Sequence, residues 1–238
     1  KESLSNILEN YSQVVEKIDR KTNKVVGETM IFPRYHQLTV VRKLLADTLR
    51  NEVGKRYLIQ HSAGSGKSNS IAWLAYQLVK LEKSGKTFFD SIIVVTDRVN
   101  LDRQIRDTIR QFMQERSVVG WADDSSTLGS LLNAGKKIII TTIHKFPFIL
   151  SSIGTENKDK QFAIIIDEAH SSQTGSLFAK MNMAVSGNVC DDEEDIEDKI
   201  NKLIEGHRMV RNANYYAFTA TPKNKTLEMF GDAIPQPD

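Results

Sequence analysis

The sequence predicts an α/β fold, a parallel β-sheet sandwiched by helices. Two observations predict it. Five short apolar runs are continuous and β-branched rather than alternating, as in strands covered on both faces. Amphipathic helical segments separate them, and strand–helix alternation builds βαβ units.

The first run is Arg56–Gln60 (RYLIQ). Ser68–Lys83 follows, with Ile71, Leu74, Ala75, Leu78 and Val79 at the three- and four-residue spacings of one helix face. Ser91–Thr96 (SIIVVT) is the second strand, and Leu101, Ile105, Ile109 and Phe112 predict a helix over Asn100–Glu115. Lys137–Thr141, Phe162–Asp167 and Asn214–Thr219 complete the set. Residues 1–32 are more polar, with a hairpin or loop at Lys21–Lys24, and are expected to lead in from a preceding domain. The α/β body is expected over residues 33–231, with the Pro-rich 232–238 as a linker beyond it.

The chain has 238 residues, enough for a sizeable core, and one cysteine, Cys190. A lone cysteine excludes a disulfide scaffold and suits a reducing, cytoplasmic setting. No apolar run reaches the roughly 20 residues of a membrane helix. The net charge of +2 is uneven, because residues 191–198 (DDEEDIED) carry seven acids and no base. Without them, 32 basic residues face 23 acidic ones, so the rest is basic.

Two motifs carry chemistry. His61-Ser62-Ala63-Gly64-Ser65-Gly66-Lys67-Ser68 follows a strand and opens a helix. Gly64, Ser65 and Gly66 let backbone N–H groups wrap a phosphate, and the helix N-terminus adds donors and a positive dipole end. Lys67 supplies a charge for the β/γ-phosphates of ATP, and the Ser68 hydroxyl a ligand for Mg²⁺. The strict pattern begins with Gly, where this chain has His61. One hundred residues on, a strand ends in Asp167-Glu168-Ala169-His170. Asp167 is placed to hold Mg²⁺ through water, and Glu168 to orient or deprotonate an attacking water. A glycine-rich turn and a pair of helix-capping acids are the plainer alternatives.

The order HSAGSGKS, TDRVNLDRQ, TTIHKF, DEAHSSQTG and AFTATPK resembles the superfamily 2 helicase-like ATPases. Within them it is most similar to the motor of the R subunit of type I restriction–modification enzymes. The resemblance implies a RecA-like first lobe of an ATP-dependent double-stranded DNA translocase. In it, Arg34 and Gln37 would meet the nucleotide, Gln37 at adenine. Thr96, Arg98, Thr142 and Lys145 would contact DNA phosphates, and Thr219 and Thr221 would couple nucleotide state to DNA grip. Plainer readings stand beside these: Gln37 as a surface residue, Arg98 as an ion-pair partner and Thr219–Pro222 as a turn after a strand.

The resemblance also implies methylation and specificity subunits as partners, with arginines from a second lobe needed for hydrolysis. These 238 residues alone are therefore expected to bind nucleotide weakly without turnover. The acidic run lies in an insert over about 186–213, read as a solvated loop with a capped helix, a docking surface for another subunit, or a repulsive wall that keeps DNA to one path. Type III restriction and remodeller-like motors share the motifs. A nucleotide-dependent DNA-binding or assembly module without hydrolysis is the alternative of another class.

Overall fold

The structure, a computed structural model, describes residues 2–19, 24–62, 64–96, 118–122, 125–142, 157–167 and 210–222, with a few isolated positions between them. The predicted helix over 100–115, apart from Thr108 and Ile109, lies outside the described residues. So do residues 168–209, which hold Glu168 and the acidic run, and Arg98.

The chain opens with helix α1 (Glu2–Asn10) and an antiparallel hairpin, β1 (Gln13–Ile18) and β2 (Val25–Ile31). Helix α2 (Tyr35–Arg50) leads into β3 (Arg56–Gln60), and α3 (Lys67–Val79) follows the phosphate loop. A two-residue-strand hairpin, β4 (Glu82–Lys83) and β5 (Lys86–Thr87), precedes β6 (Ser91–Thr96). Then come β7 (Val119–Trp121), α4 (Ser125–Asn133), β8 (Ile138–Thr142), β9 (Phe162–Asp167) and β10 (Ala213–Thr219).

Six strands form one parallel sheet in the order β3-β10-β9-β6-β8-β7. Every residue of β6, β9 and β10 is buried, as their uninterrupted apolar character predicts. Their side chains alternate between two cores. Ile92, Val94, Ile138, Ile140, Ala163, Ile165, Tyr216 and Phe218 pack with α2 and α3 on one face. Ile93, Val95, Ile139, Phe162, Ile164, Ile166 and Tyr215 pack with Leu128 and Leu132 of α4 on the other. The α/β sandwich with a parallel sheet is therefore as predicted.

Two local details differ. The helix predicted to Lys83 ends at Val79, because Ser84 (φ 55°) and Gly85 (φ 75°) turn the chain into the β4–β5 hairpin. Moreover, α3 is buried nearly all round, and Trp73, off the predicted face, is 0% exposed. The added cover comes from the segment before residue 33. Tyr11 is 2% exposed in the same core, and its carbonyl accepts the Trp73 indole N–H at 2.8 Å.

A buried polar network secures the far end of the sheet. Asn214, 0% exposed, accepts the backbone N–H groups of Gly54 and Lys55, each at 2.8 Å. Beside it the Tyr216 hydroxyl meets Thr48 at 2.8 Å, and its ring stacks on Tyr57 at 4.9 Å. Replacing Asn214 with alanine removes the shared acceptor of two part-buried backbone N–H groups and is expected to cost about 1–3 kcal/mol. For a chain of this size that lowers the melting temperature by roughly 2–12 °C, readable by calorimetry. A melting temperature unchanged from wild type would show that these bonds add nothing.

Candidate functional site

The register of the sheet brings the predicted strand-end residues into one row. Thr219 pairs with Gln60, and Phe218 with Asp167. Thr96 follows the Val95–Ile166 pair and itself pairs with Thr142. Asp167, Thr96, Thr142 and Thr219 thus share the carboxyl edge of the sheet, where α/β folds bind ligands.

The phosphate loop rises from β3 at that edge. The His61 N–H donates to the Thr219 carbonyl at 2.7 Å, which ties the start of the loop to β10. Gly64 (φ 74°) and Gly66 (φ 85°) lie in the left-handed region that β-carbons disfavour. A β-carbon on Gly66 would also come within 2.5 Å of Gln37 Nε2, so a larger residue there would push that amide aside.

Gln37 is 3% exposed and acts as a brace. Its Oε1 accepts the Arg34 N–H at 2.8 Å, and its Nε2 donates to the carbonyls of Ser65 (3.2 Å) and Gly66 (3.0 Å). His36 Nε2 also meets the Ser65 carbonyl at 3.2 Å. In a trans peptide the next N–H points opposite the carbonyl. Drawing these two carbonyls toward α2 therefore turns the N–H groups of Gly66 and Lys67 the other way, as an anion cradle requires. Both Nε2 donors of Gln37 are committed here, which leaves a lone pair of Oε1 as the group able to meet adenine. The Arg34 side chain is exposed close by.

Lys67 spans the row to Asp167, with Nζ 2.9 Å from Oδ1. The contact is a charge pair rather than an aligned hydrogen bond. The carboxylate is 4% exposed and the lysine 20%, so the pair sits at the mouth of the crevice. Ser68, half-buried, begins α3 beside it. Asp167 and Ser68 offer hard oxygen donors, which suit Mg²⁺. Glu168 adjoins Asp167 in sequence but lies outside the described residues.

The remaining predicted positions divide. Thr219 is buried, and among the described residues its hydroxyl has no hydrogen-bond partner, which leaves it available to a neighbouring group. Thr221 is exposed and Thr142 half-buried. Thr96 is 0% exposed, with its hydroxyl donating to the Thr141 carbonyl at 3.4 Å, so it serves the sheet rather than the surface. Lys145 is turned to the Ala122 carbonyl, 2.8 Å from Nζ, which holds its charge against the β7 end of the sheet.

Sequence reasoning noticed His61 only as a departure from glycine. The structure buries it to 5% exposure between His36 and Phe218, with ring centroids 5.3 and 6.3 Å away. Burial, then the neighbouring His36 and Lys67, holds its pKa below the ordinary histidine value and keeps the ring neutral. Among the described residues no helix is long and apolar enough to cross a membrane.

Comparison with solved structures finds distant likenesses. The UvsW helicase from bacteriophage T4 is 14% identical with a TM-score of 0.43, over 85% of this chain and 56% of that one. A nuclease-deletion mutant of the Type ISP restriction–modification enzyme LlaGI, in complex with a DNA substrate mimic, is 15% identical with a TM-score of 0.48, over 81% and 18%. Mss116p bound to ssRNA and AMP-PNP is 14% identical with a TM-score of 0.47, over 77% and 35%. The chain thus spans about half or less of the length of these structures. No curated protein matches. The profile of the SWI2/SNF2 ATPases matches residues 36–236, which include the phosphate loop, the Asp167 strand end and the Thr219 turn. With that match over most of its length, the chain belongs to the SWI2/SNF2 ATPase family and forms a helicase-like, superfamily 2 ATPase motor domain.

Proposed function

We propose that this domain is the ATP-binding and hydrolysing first lobe of a double-stranded DNA translocase, within the R subunit of a type I restriction enzyme. The observation that carries the ATP part is the Lys67–Asp167 pair at 2.9 Å, which joins the two phosphate-handling motifs in one crevice. The triphosphate enters between these side chains. Lys67 moves from the carboxylate to the β/γ-phosphates, and the N–H groups of Gly66 and Lys67 meet phosphate oxygens. Mg²⁺, held by Ser68 and Asp167, would neutralise charge on those oxygens. Glu168 orients and deprotonates the attacking water.

The DNA part rests on the family and on the resemblance of TDRVNLDRQ, DEAHSSQTG and AFTATPK to the R subunit. Arg98 and Thr142 are its direct phosphate contacts. Thr96 and Lys145 support the sheet edge that carries them, and Thr219 and Thr221 relay nucleotide state to it. Contacts of this kind carry no sequence information, so recognition of a DNA site falls to a specificity subunit, with a methylation subunit alongside. A remodeller-like motor shares the lobe and the duplex track, and the family match favours it as the second reading. Hydrolysis measured in the intact protein separates these readings from a module that binds without turnover. Linear duplex DNA is expected to raise the steady-state rate at least tenfold, and single strands of the same sequence far less. Equal rates with and without duplex would refute the translocase.

A further inference from the structure

We propose that His61 is a positioning residue that locks the phosphate loop in its anion-cradling shape. The inference rests on the reading of this loop as the phosphate site of ATP. Its basis is a chain of hydrogen bonds across the loop. The Ser65 hydroxyl meets the Ser62 carbonyl, His61 Nδ1 meets the Ser65 hydroxyl, and Ser70 Oγ lies 3.1 Å from His61 Nε2.

The direction of this chain is fixed by donor inventory. A carbonyl only accepts, so the one hydroxyl proton of Ser65 goes to Ser62. Nδ1 must then donate to Ser65 Oγ, and in a neutral ring Nε2 accepts from Ser70. The relay Ser70→His61→Ser65→Ser62 thus runs from the first turns of α3 back to the start of the loop. Two of its members are anchored, since Ser70 is 0% exposed and the His61 N–H is bonded to the Thr219 carbonyl. Ser65 is gripped from two sides. Gln37 and His36 hold its carbonyl, while His61 holds its hydroxyl. Glycine, the usual residue at position 61 of the motif, could supply no such side-chain bond. The ring also fills the space between His36 and Phe218.

The test is Mg²⁺-ATP affinity of the full chain, measured with a fluorescent ATP analogue. His61→Ala is expected to weaken binding about tenfold, the loss of a buried hydrogen-bond chain. Ser65→Ala is expected to cost a similar factor, and the double variant little more than either, because each breaks the same relay. His61→Asn, whose amide N–H can reach the place of Nδ1, is expected to recover part of the loss. A role in packing alone predicts no such rescue and independent, multiplicative losses, and those results would overturn the proposal. Should His61→Ala fail to fold, Ser65→Ala against Ser65→Thr decides, with tight binding expected only where the hydroxyl remains. Lys67→Ala serves as the reference. If it loses ATP while the His61 variants bind like wild type, the positioning role fails and the ATP site stands. If wild type and Lys67→Ala bind ATP equally, the ATP site itself fails, and the positioning role with it.

Discussion

Lys67→Ala is expected to weaken ATP binding by about 2–3 kcal/mol, roughly 30- to 150-fold. The side chain sits at the N-terminus of α3, where the loop N–H groups and the helix dipole already favour an anion. Its ammonium adds a full positive charge on a flexible side chain. Its contact with Asp167 keeps a 4% exposed carboxylate compensated, and the proposed reading has it transfer to phosphate when ATP binds. The loss is in affinity first, so titration calorimetry is the direct measurement. Affinity within twofold of wild type would remove Lys67 from the phosphate site.

Glu168→Gln is expected to separate binding from chemistry. Glutamine keeps the shape of the side chain and loses its capacity to take a proton. General-base assistance contributes about 10²–10⁴-fold, so single-turnover hydrolysis should fall by that order. ATP affinity should stay within about threefold of wild type, because the proposed phosphate cradle is built from residues 64–68 and Asp167. A variant that hydrolyses at the wild-type rate would take Glu168 out of the mechanism. One that cannot bind ATP would make it a ligand rather than a base.

Much of this arrangement was legible in the residues because it follows from short-range chemistry. The five predicted strands agree with the structure to within one residue at either end, since unbroken runs such as IIVV and AIII suit a doubly covered sheet. The order of the phosphate loop and the acidic strand end foretold a shared crevice, and the 2.9 Å pair is that crevice. Other features depend on partners distant in sequence. Strand β7 has three residues, too few for any period to register. Trp73 stands off the predicted face of α3 because the N-terminal segment covers it. Thr96 ends a strand, as a surface contact would, but its hydroxyl faces Thr141 across the sheet. The motif alone points Gln37 toward adenine. Its grip on Ser65 and Gly66 needs α2 laid against the loop, which spacing alone does not reveal.

The central claim is that ATP enters between Lys67 and Asp167. A crystal structure with a non-hydrolysable ATP analogue and Mg²⁺ tests it most directly. The account predicts phosphates seated on the N–H groups of Gly66 and Lys67, with Lys67 Nζ on the β/γ oxygens and no longer 2.9 Å from Asp167. An analogue bound elsewhere, or bound with the Lys67–Asp167 pair intact, would contradict it.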